Sequence, residues 1–308
     1  MTAEPAKSET RHSDSVADET VSGAPGESPG RHLITSGAVT VTVEEYGRAH
    51  RGAGRTSVVF LPALGVPLSY YGKFLEGWAA QGRHVLGVEH RGGPQSPVAN
   101  LRRESFGYAD LIKTDLPAVF ALDAIAGAGP VALVGHSLGG HLALLSAASG
   151  SVQPAAVVTI ATGTSSPASQ HTRVGRFRRW VGVRFIETTS RVLGYWPGHR
   201  LGFGGRQPKG LMTDWAYEGR HGRYRVAGDA TDYEAALAVL AAPTLMISLE
   251  DDPLSPPRAV THLAGRLPVH VEHRMLTGDQ AQDHFAWARR NPDFVIGEVE
   301  SWLGPIGL

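Results

Sequence analysis

The sequence predicts an α/β protein built on a doubly wound, mostly parallel β-sheet with an inserted helical cap. Short apolar runs alternate with amphipathic segments over most of the chain, and a long stretch between Thr162 and Pro243 interrupts that alternation. The chain has 308 residues, of which 42% are hydrophobic and 19% charged. This is an ordinary globular composition, and the length is sufficient for one large domain.

Seven apolar runs rich in β-branched residues are candidate strands. They are Ala38–Glu45, Ser57–Leu61, His84–Glu89, Val131–Val134, Ala156–Ile160, Thr244–Ser248 and Val269–Met275. Several are apolar almost throughout, as expected where helices cover both faces of a parallel sheet. Between them, apolar residues recur three and four positions apart, which predicts helices.

The chain divides into four predicted parts. Residues 1–33 are expected to be a disordered tail, because residues 1–30 lack Leu, Ile and Phe and carry six acidic residues against two basic ones. Residues 34–163 and 236–308 are expected to form the two parts of the α/β core. Residues 164–235 lack a convincing core strand and are far too long for a loop, so we expect a helical cap there.

Composition excludes several classes of protein. Lys and Arg together number 29, as do Asp and Glu, so nothing in the net charge favours nucleic acid as a partner. The absence of cysteine excludes disulfides, thiolate metal sites and cysteine nucleophiles. We expect no metal site. We also expect no stable membrane insertion, because the most apolar stretch contains Asp123 and two prolines. Because the N-terminus lacks an apolar signal segment, we expect a cytoplasmic protein.

The strongest functional signal is a Gly-x-Ser-x-Gly motif centred on Ser137. It follows an apolar strand and precedes a helical pattern, and a third glycine stands at Gly140. A sharp strand-to-helix turn exposes the serine hydroxyl and leaves no room for side chains at Gly135 and Gly139. The turn also directs helical N–H groups toward the site, where a developing oxyanion would be stabilised. The motif therefore predicts a nucleophilic serine.

A nucleophilic serine needs a base and an orienting acid, which in this arrangement follow it in the order acid, then histidine. Three adjacent acidic residues follow the strand Thr244–Ser248; Asp252 is favoured as the acid, with Asp251 as the alternative. Of the four histidines after Asp252, His284 is selected because it follows the last strand and opens a helix. His273 is the next candidate.

The oxyanion would be bound by two backbone N–H groups. Leu138, next to the nucleophile, supplies one of them. The loop after Ser57–Leu61 should supply the other, from Leu64 or from Ala63. His136 and His141 flank the serine in sequence and are interpreted as packing or rim residues.

Together these residues resemble the α/β-hydrolase superfamily, and in detail its bacterial predicted serine-aminopeptidase-like branch. The residues that carry the resemblance are Pro62 to Val66, Tyr70, Tyr71 and Phe74, Glu89 to Gly93, Gly135 to Gly140, Lys209 to Trp215, Asp251 to Pro253, and His284 with Phe285. The resemblance covers the chain from about residue 34 onward. It implies a Ser–His–Asp triad and no cofactor. Glu89 departs from the aspartate usual in the family at that turn.

We therefore predict a serine hydrolase that cleaves a carboxylic ester, or a thioester or amide, of a small-molecule acyl substrate. Two alternatives stay open, namely an acyltransferase that uses the same triad and a non-catalytic ligand-binding member of the fold.

The cap region adds a hypothesis about the substrate. Residues 173–225 carry twelve basic and three acidic residues, with interleaved aromatic residues. They could form a solvated basic face whose aromatic residues pack on the core. Alternatively, part of the charge faces the pocket and favours substrates with a carboxylate or phosphate distant from the scissile bond.

Overall fold

The computed structural model describes residues 29–36, 39–278 and 283–308. Ten strands occur in this part of the chain: β1 Gly30–Ser36, β2 Val39–Tyr46, β3 Ser57–Leu61, β4 Val85–Val88, β5 Val131–His136, β6 Ala156–Ile160, β7 Tyr195–Pro197, β8 Arg206–Pro208, β9 Thr244–Leu249 and β10 Glu272–Leu276. Its helices are α1 Gly72–Ala80, α2 Tyr108–Asp110, α3 Leu116–Phe120, α4 Asp123–Ala126, α5 Leu138–Ala148, α6 Arg173–Leu193, α7 Gly198–Leu201, α8 Lys209–His221, α9 Tyr233–Ala238, α10 Pro257–Ala264, α11 Trp287–Arg290 and α12 Pro292–Leu303, with a π-helical turn at Leu111–Asp115.

Eight strands form one sheet in the order β1-β2-β4-β3-β5-β6-β9-β10. The pairs β1–β2 and β2–β4 are antiparallel, and every other neighbouring pair is parallel. The central strands β3, β5, β6 and β9 are buried along their whole length, because helices cover both faces. The doubly wound, mostly parallel sheet predicted from the sequence is confirmed.

Two apolar clusters fill the space between the sheet and its helices. One face is covered by α5, α9 and α10, with Leu142, Leu237 and Val260 among the buried residues. The other face is covered by α1, α11 and α12, where the aromatic side chains of Trp78 and Trp287 lie. The carboxyl ends of the parallel strands meet at one edge of the sheet, where loops can build a site.

The segment between β6 and β9, residues 161–243, contains α6 to α9 and the hairpin of β7 and β8, a short sheet that the sequence analysis did not predict. We call it the inserted segment. Trp196 is buried there, but Phe177, Trp180 and Phe185 on α6 are 64%, 48% and 53% exposed. The interpretation that the aromatic residues of this segment pack on the core is therefore wrong for α6.

The boundary of the expected N-terminal tail is also wrong. We placed residues 1–33 in the tail, but β1 begins at Gly30 and pairs with β2 along its whole length. Backbone pairing and a buried contact between His32 and Glu45, 2.9 Å apart, hold this edge strand, and composition detects neither. The prediction that residues 1–28 are disordered lies outside the described residues.

The last strand begins later than predicted. The pattern predicted Val269–Met275, whereas β10 spans Glu272–Leu276. Val269 is fully exposed in the turn before it, so a β-branched residue there does not mark a strand.

An ion pair between the buried Arg83 and the half-buried Glu300 joins α12 to the region of α1. Both carboxylate oxygens of Glu300 accept hydrogen bonds from Arg83, at 2.8 Å each, and one also accepts from the indole N–H of Trp78 at 2.6 Å. Burial raises the pKa of Glu300, but the hydrogen bonds from Arg83 and Trp78 outweigh it, and the net pKa is lowered. This stabilisation is therefore present at neutral pH and is lost as the pH falls through the lowered pKa.

We predict that Glu300→Gln lowers the free energy of unfolding by about 3 kcal/mol, because the guanidinium of Arg83 stays buried without its counter-charge. Urea denaturation at neutral pH measures the change. Arg55→Gln is the matched control, since Arg55 contacts the same carboxylate from an exposed position, and we expect it to cost less than about 1 kcal/mol. Equal costs for the two variants would contradict the prediction.

Candidate active site

Ser137 lies in the sharp turn between β5 and α5. Its φ is 52° and its ψ is −111°, a conformation that L residues rarely adopt. A Cβ atom at Gly135 would lie 2.2 Å from the carbonyl carbon of Gly139, and one at Gly139 would lie 2.1 Å from the carbonyl oxygen of Leu61. The turn closes this tightly only because both positions are glycine.

Asp252 and His284 come together at the ends of β9 and β10. The Nδ1–H of His284 donates to Oδ2 of Asp252 at 2.6 Å, and the N–H groups of Leu254 and Ser255 donate to Oδ1, at 2.8 Å each. These contacts fix the carboxylate, which is buried, whereas Asp251 is exposed. Since the carboxylate only accepts, Nδ1 carries the proton in the neutral ring, and Nε2 is left as an acceptor.

The other histidines considered from the sequence lie elsewhere. His273 belongs to β10 and contacts the hydroxyl of Ser248 at 2.8 Å, while His262 is exposed on α10. His270 lies in the turn before β10. The structure therefore brings only His284 of these four to Asp252.

His136 packs directly behind His284, with ring centroids 4.8 Å apart. Its Nδ1 accepts a hydrogen bond of 2.7 Å from the hydroxyl of Tyr71, which in turn accepts from the N–H of Ala63 at 3.1 Å. Burial lowers the pKa of His136 far below its usual value and raises that of Tyr71, so the ring is neutral and the phenol protonated. This chain of contacts links the loop after β3 to the imidazole of His284.

Two side chains hold the loop that follows β3. The hydroxyl oxygen of Tyr71 accepts a hydrogen bond from the N–H of Ala63, and His90 donates one from Nε2 to the carbonyl of Pro62 at 3.0 Å. Burial lowers the pKa of His90 to about 4, so the ring is neutral at physiological pH. Because Ala63 N–H already has a partner, Leu64 is the better candidate for the second oxyanion donor.

Ser137, His284, Leu64 and Leu138 line one cavity of about 130 Å³. Its remaining walls are mostly apolar and include Phe203, Trp215, Leu254 and Phe285, together with the polar side chains of Arg179, His141, Ser165 and Ser255. Ala161, at the end of β6, also lines it and has a positive φ of 50°. This catalytic cavity, as we call it, thus contains every residue selected from the sequence except Asp252, which lies behind His284.

A larger cavity of about 390 Å³ lies on the other side of the loop containing Leu64. It shares Ala63 and Leu138 with the catalytic cavity but has neither Ser137 nor His284 in its lining. Gly65 lines the larger cavity and contacts the inserted segment, since a Cβ there would lie 2.2 Å from the carbonyl oxygen of Gly204. Size alone therefore does not identify the site.

Sequence reasoning missed the supporting residues of this site. Tyr71 was named only as part of the family resemblance, and His136 as a packing or rim residue. The structure joins the two by a hydrogen bond and packs His136 against the ring of His284. Arg179 was one of twelve basic residues in its region, and nothing in the pattern distinguished it. Among the described residues, no cluster of His, Asp or Glu could hold a metal ion, and no helix is long and apolar enough to cross a bilayer.

Comparison with known proteins identifies the family. The model of the alpha/beta hydrolase family matches residues 51–296, and the chain belongs to that family. This confirms the superfamily predicted from the sequence. No curated protein matches the chain significantly.

Several solved structures share the fold. One is the mouse alpha/beta hydrolase domain-containing protein 10, at 14% identity, with a TM-score of 0.61 over 90% of this chain and 99% of that one. A carboxylesterase of the ammonia-oxidizing Thaumarchaeon Nitrososphaera gargenis matches at 15% identity and a TM-score of 0.61, over 89% and 98% of the two chains. A thioesterase domain from the curacin biosynthetic pathway matches at 14% and 0.57, over 89% and 99%.

We predict that Tyr71→Phe lowers the free energy of unfolding by about 1–3 kcal/mol, because it leaves the buried N–H of Ala63 and Nδ1 of His136 without a partner. Tyr70→Phe is the matched control, since the neighbouring Tyr70 makes one hydrogen bond, to the carbonyl of Phe285, from a half-buried position. We expect its cost to be the smaller of the two in urea denaturation. A larger loss of unfolding free energy for Tyr70→Phe than for Tyr71→Phe would contradict the prediction.

Proposed function

We propose that this protein is a serine hydrolase that cleaves a carboxylic ester through an acyl-enzyme on Ser137. The observation that carries the proposal is the hydrogen bond from His284 to Asp252 beside a cavity that also contains Ser137. A thioester or an amide is a second substrate class for the same chemistry. The proposal goes beyond family membership, because one fold supports many reactions.

In the proposed mechanism, the hydroxyl oxygen of Ser137 attacks the carbonyl carbon, and Nε2 of His284 takes its proton. The resulting oxyanion accepts hydrogen bonds from the backbone N–H groups of Leu138 and Leu64. Collapse of the intermediate breaks the bond to the leaving group, which takes the proton from His284. A water molecule then attacks the acyl-enzyme while His284 takes its proton. The acid is released, and Ser137 regains its proton from His284.

Each supporting group has a physical role in that mechanism. Asp252 keeps the proton on Nδ1 of His284 and stabilises the imidazolium that forms. The apolar walls exclude water and strengthen the polar contacts at the oxyanion. The small cavity suits a small-molecule acyl group. Membership of the serine-aminopeptidase-like branch stays a prediction that rests on the motifs given above.

We predict that Ser137→Ala and His284→Ala each lower kcat/KM for a para-nitrophenyl ester by about 10⁴-fold or more, and that the double variant is little worse, because the triad acts as a unit. A fluorophosphonate probe should label the native protein at Ser137 and leave Ser137→Ala unlabelled. His262→Ala is the control, since His262 is exposed on α10. If His284→Ala retained most of the activity, His284 would not be the base.

We predict a large difference between two neighbouring acids. Asp252→Asn should lower kcat by about 10³-fold, because the amide disturbs the tautomer of His284, while the exposed Asp251→Asn should change it less than about twofold. Steady-state kinetics on the same ester measures both, with circular dichroism as the check on folding. The reverse order would exchange the two residues.

A further inference from the structure

Arg179 differs from the other basic residues near it because it lines the catalytic cavity. It lies on α6, where Arg173, Arg176 and Arg178 are exposed while Arg179 is half-buried. An Nη2–H of Arg179 donates to the carbonyl of Leu254 at 2.9 Å. The side chain of Arg179 therefore lines the same cavity as Ser137.

The position of Arg179 is tied to the triad through Leu254. The carbonyl of Leu254 accepts from Arg179, and its N–H donates to Oδ1 of Asp252. One residue thus connects the guanidinium to the acid that orients His284. A group bound by Arg179 would be held at a fixed place relative to the reacting atoms.

No carboxylate pairs with Arg179 within 4.0 Å in the part of the chain that the structure describes. By contrast, Glu187 pairs with three arginines of the inserted segment, Arg184, Arg191 and Arg220. The two acids that act electrostatically on Arg179 are engaged elsewhere, Glu218 by Thr164 and the N–H of Ser165, and Asp252 by His284. Arg179 thus faces the cavity without a close counter-charge among these residues.

A half-buried guanidinium without a close counter-charge destabilises the fold unless an anion binds to it. Burial lowers the pKa of Arg179, while Glu218 and Asp252 act in the opposite direction, and an arginine stays charged at any physiological pH. A guanidinium has five N–H donors in a planar fork that matches a carboxylate, and the bond to Leu254 uses one of them. The nearby apolar walls, among them Trp215 and Phe285, raise the strength of any ion pair formed there.

We propose that Arg179 binds a carboxylate of the substrate, so that the enzyme prefers esters whose acyl or leaving group carries a carboxylate distant from the scissile bond. This inference rests on the proposed function, since it concerns the substrate of the same site. Of the two interpretations of the basic residues 173–225, the inference selects the one in which part of the charge faces the pocket. It assigns that role to Arg179.

Two matched pairs of esters test the proposal. Para-nitrophenyl monosuberate and para-nitrophenyl octanoate differ by a carboxylate at the end of the acyl chain. Para-butanoyloxybenzoate and its methyl ester differ by a carboxylate on the leaving group. For each pair, the measured quantity is the ratio of kcat/KM for the anionic ester to that for the neutral one, at low and at high salt.

In at least one pair we expect Arg179→Gln to lower this ratio about tenfold, mainly through KM, because it removes a charge-assisted hydrogen bond. Arg179→Glu should lower it further, and Arg179→Lys should give an intermediate value because it keeps the charge but not the fork. High salt should lower the ratio of the native enzyme. The matched control is Arg178→Gln, which removes an exposed charge from the adjacent position of α6 and should leave the ratio unchanged.

The outcomes separate this inference from the proposed function. If native protein hydrolyses neutral esters but Arg179→Gln and Arg178→Gln give the same ratios in both pairs, the carboxylate site is refuted and the hydrolase stands. If native protein neither hydrolyses any ester nor reacts with fluorophosphonate at Ser137, the proposed function itself fails. Fluorophosphonate labelling of each Arg179 variant reports whether its site is folded.

Discussion

The close approach of three backbone segments at the end of β5 governs the architecture of the site. Gly135 touches Gly139, and Gly139 touches the carbonyl of Leu61 at the end of β3, with no space for a side chain at either glycine. Ser137 can therefore project from the sheet edge only if β3, β5 and α5 pack in this register. The burial of the central strands on both faces provides the rigidity that this packing needs.

Around that turn, the loops of the site are held by side chains that do not line the cavity containing Ser137. Tyr71 and His90 fix the loop after β3 through its backbone, and His136 carries the contact with Tyr71 to the ring of His284. On the other side, Leu254 joins Asp252 to Arg179. The loop after β3, His284 and Asp252 are thus parts of one hydrogen-bonded and packed framework rather than separate loops.

Sequence patterns predicted the elements whose residues are buried on both faces, such as β3 and β6, because continuous apolar runs are distinctive. They missed β1, whose edge position depends on pairing with β2 and on the contact between His32 and Glu45. In the site, Ser137, Asp252 and His284 could be selected because motif, order and strand ends are local features. Arg179 could not, because its place depends on how α6 packs against the loop after β9, which is a tertiary contact.

Ser137 and Ala161 share an unfavourable backbone conformation. They are the non-glycine residues of the described chain with positive φ, and they lie at the ends of the neighbouring strands β5 and β6. Such conformations cost about 1–3 kcal/mol each, and glycine would relieve the cost at either position. Replacing Ser137 by glycine would therefore relieve backbone strain and at the same time remove the hydroxyl proposed as the nucleophile, so that stability and the proposed chemistry oppose each other at this turn.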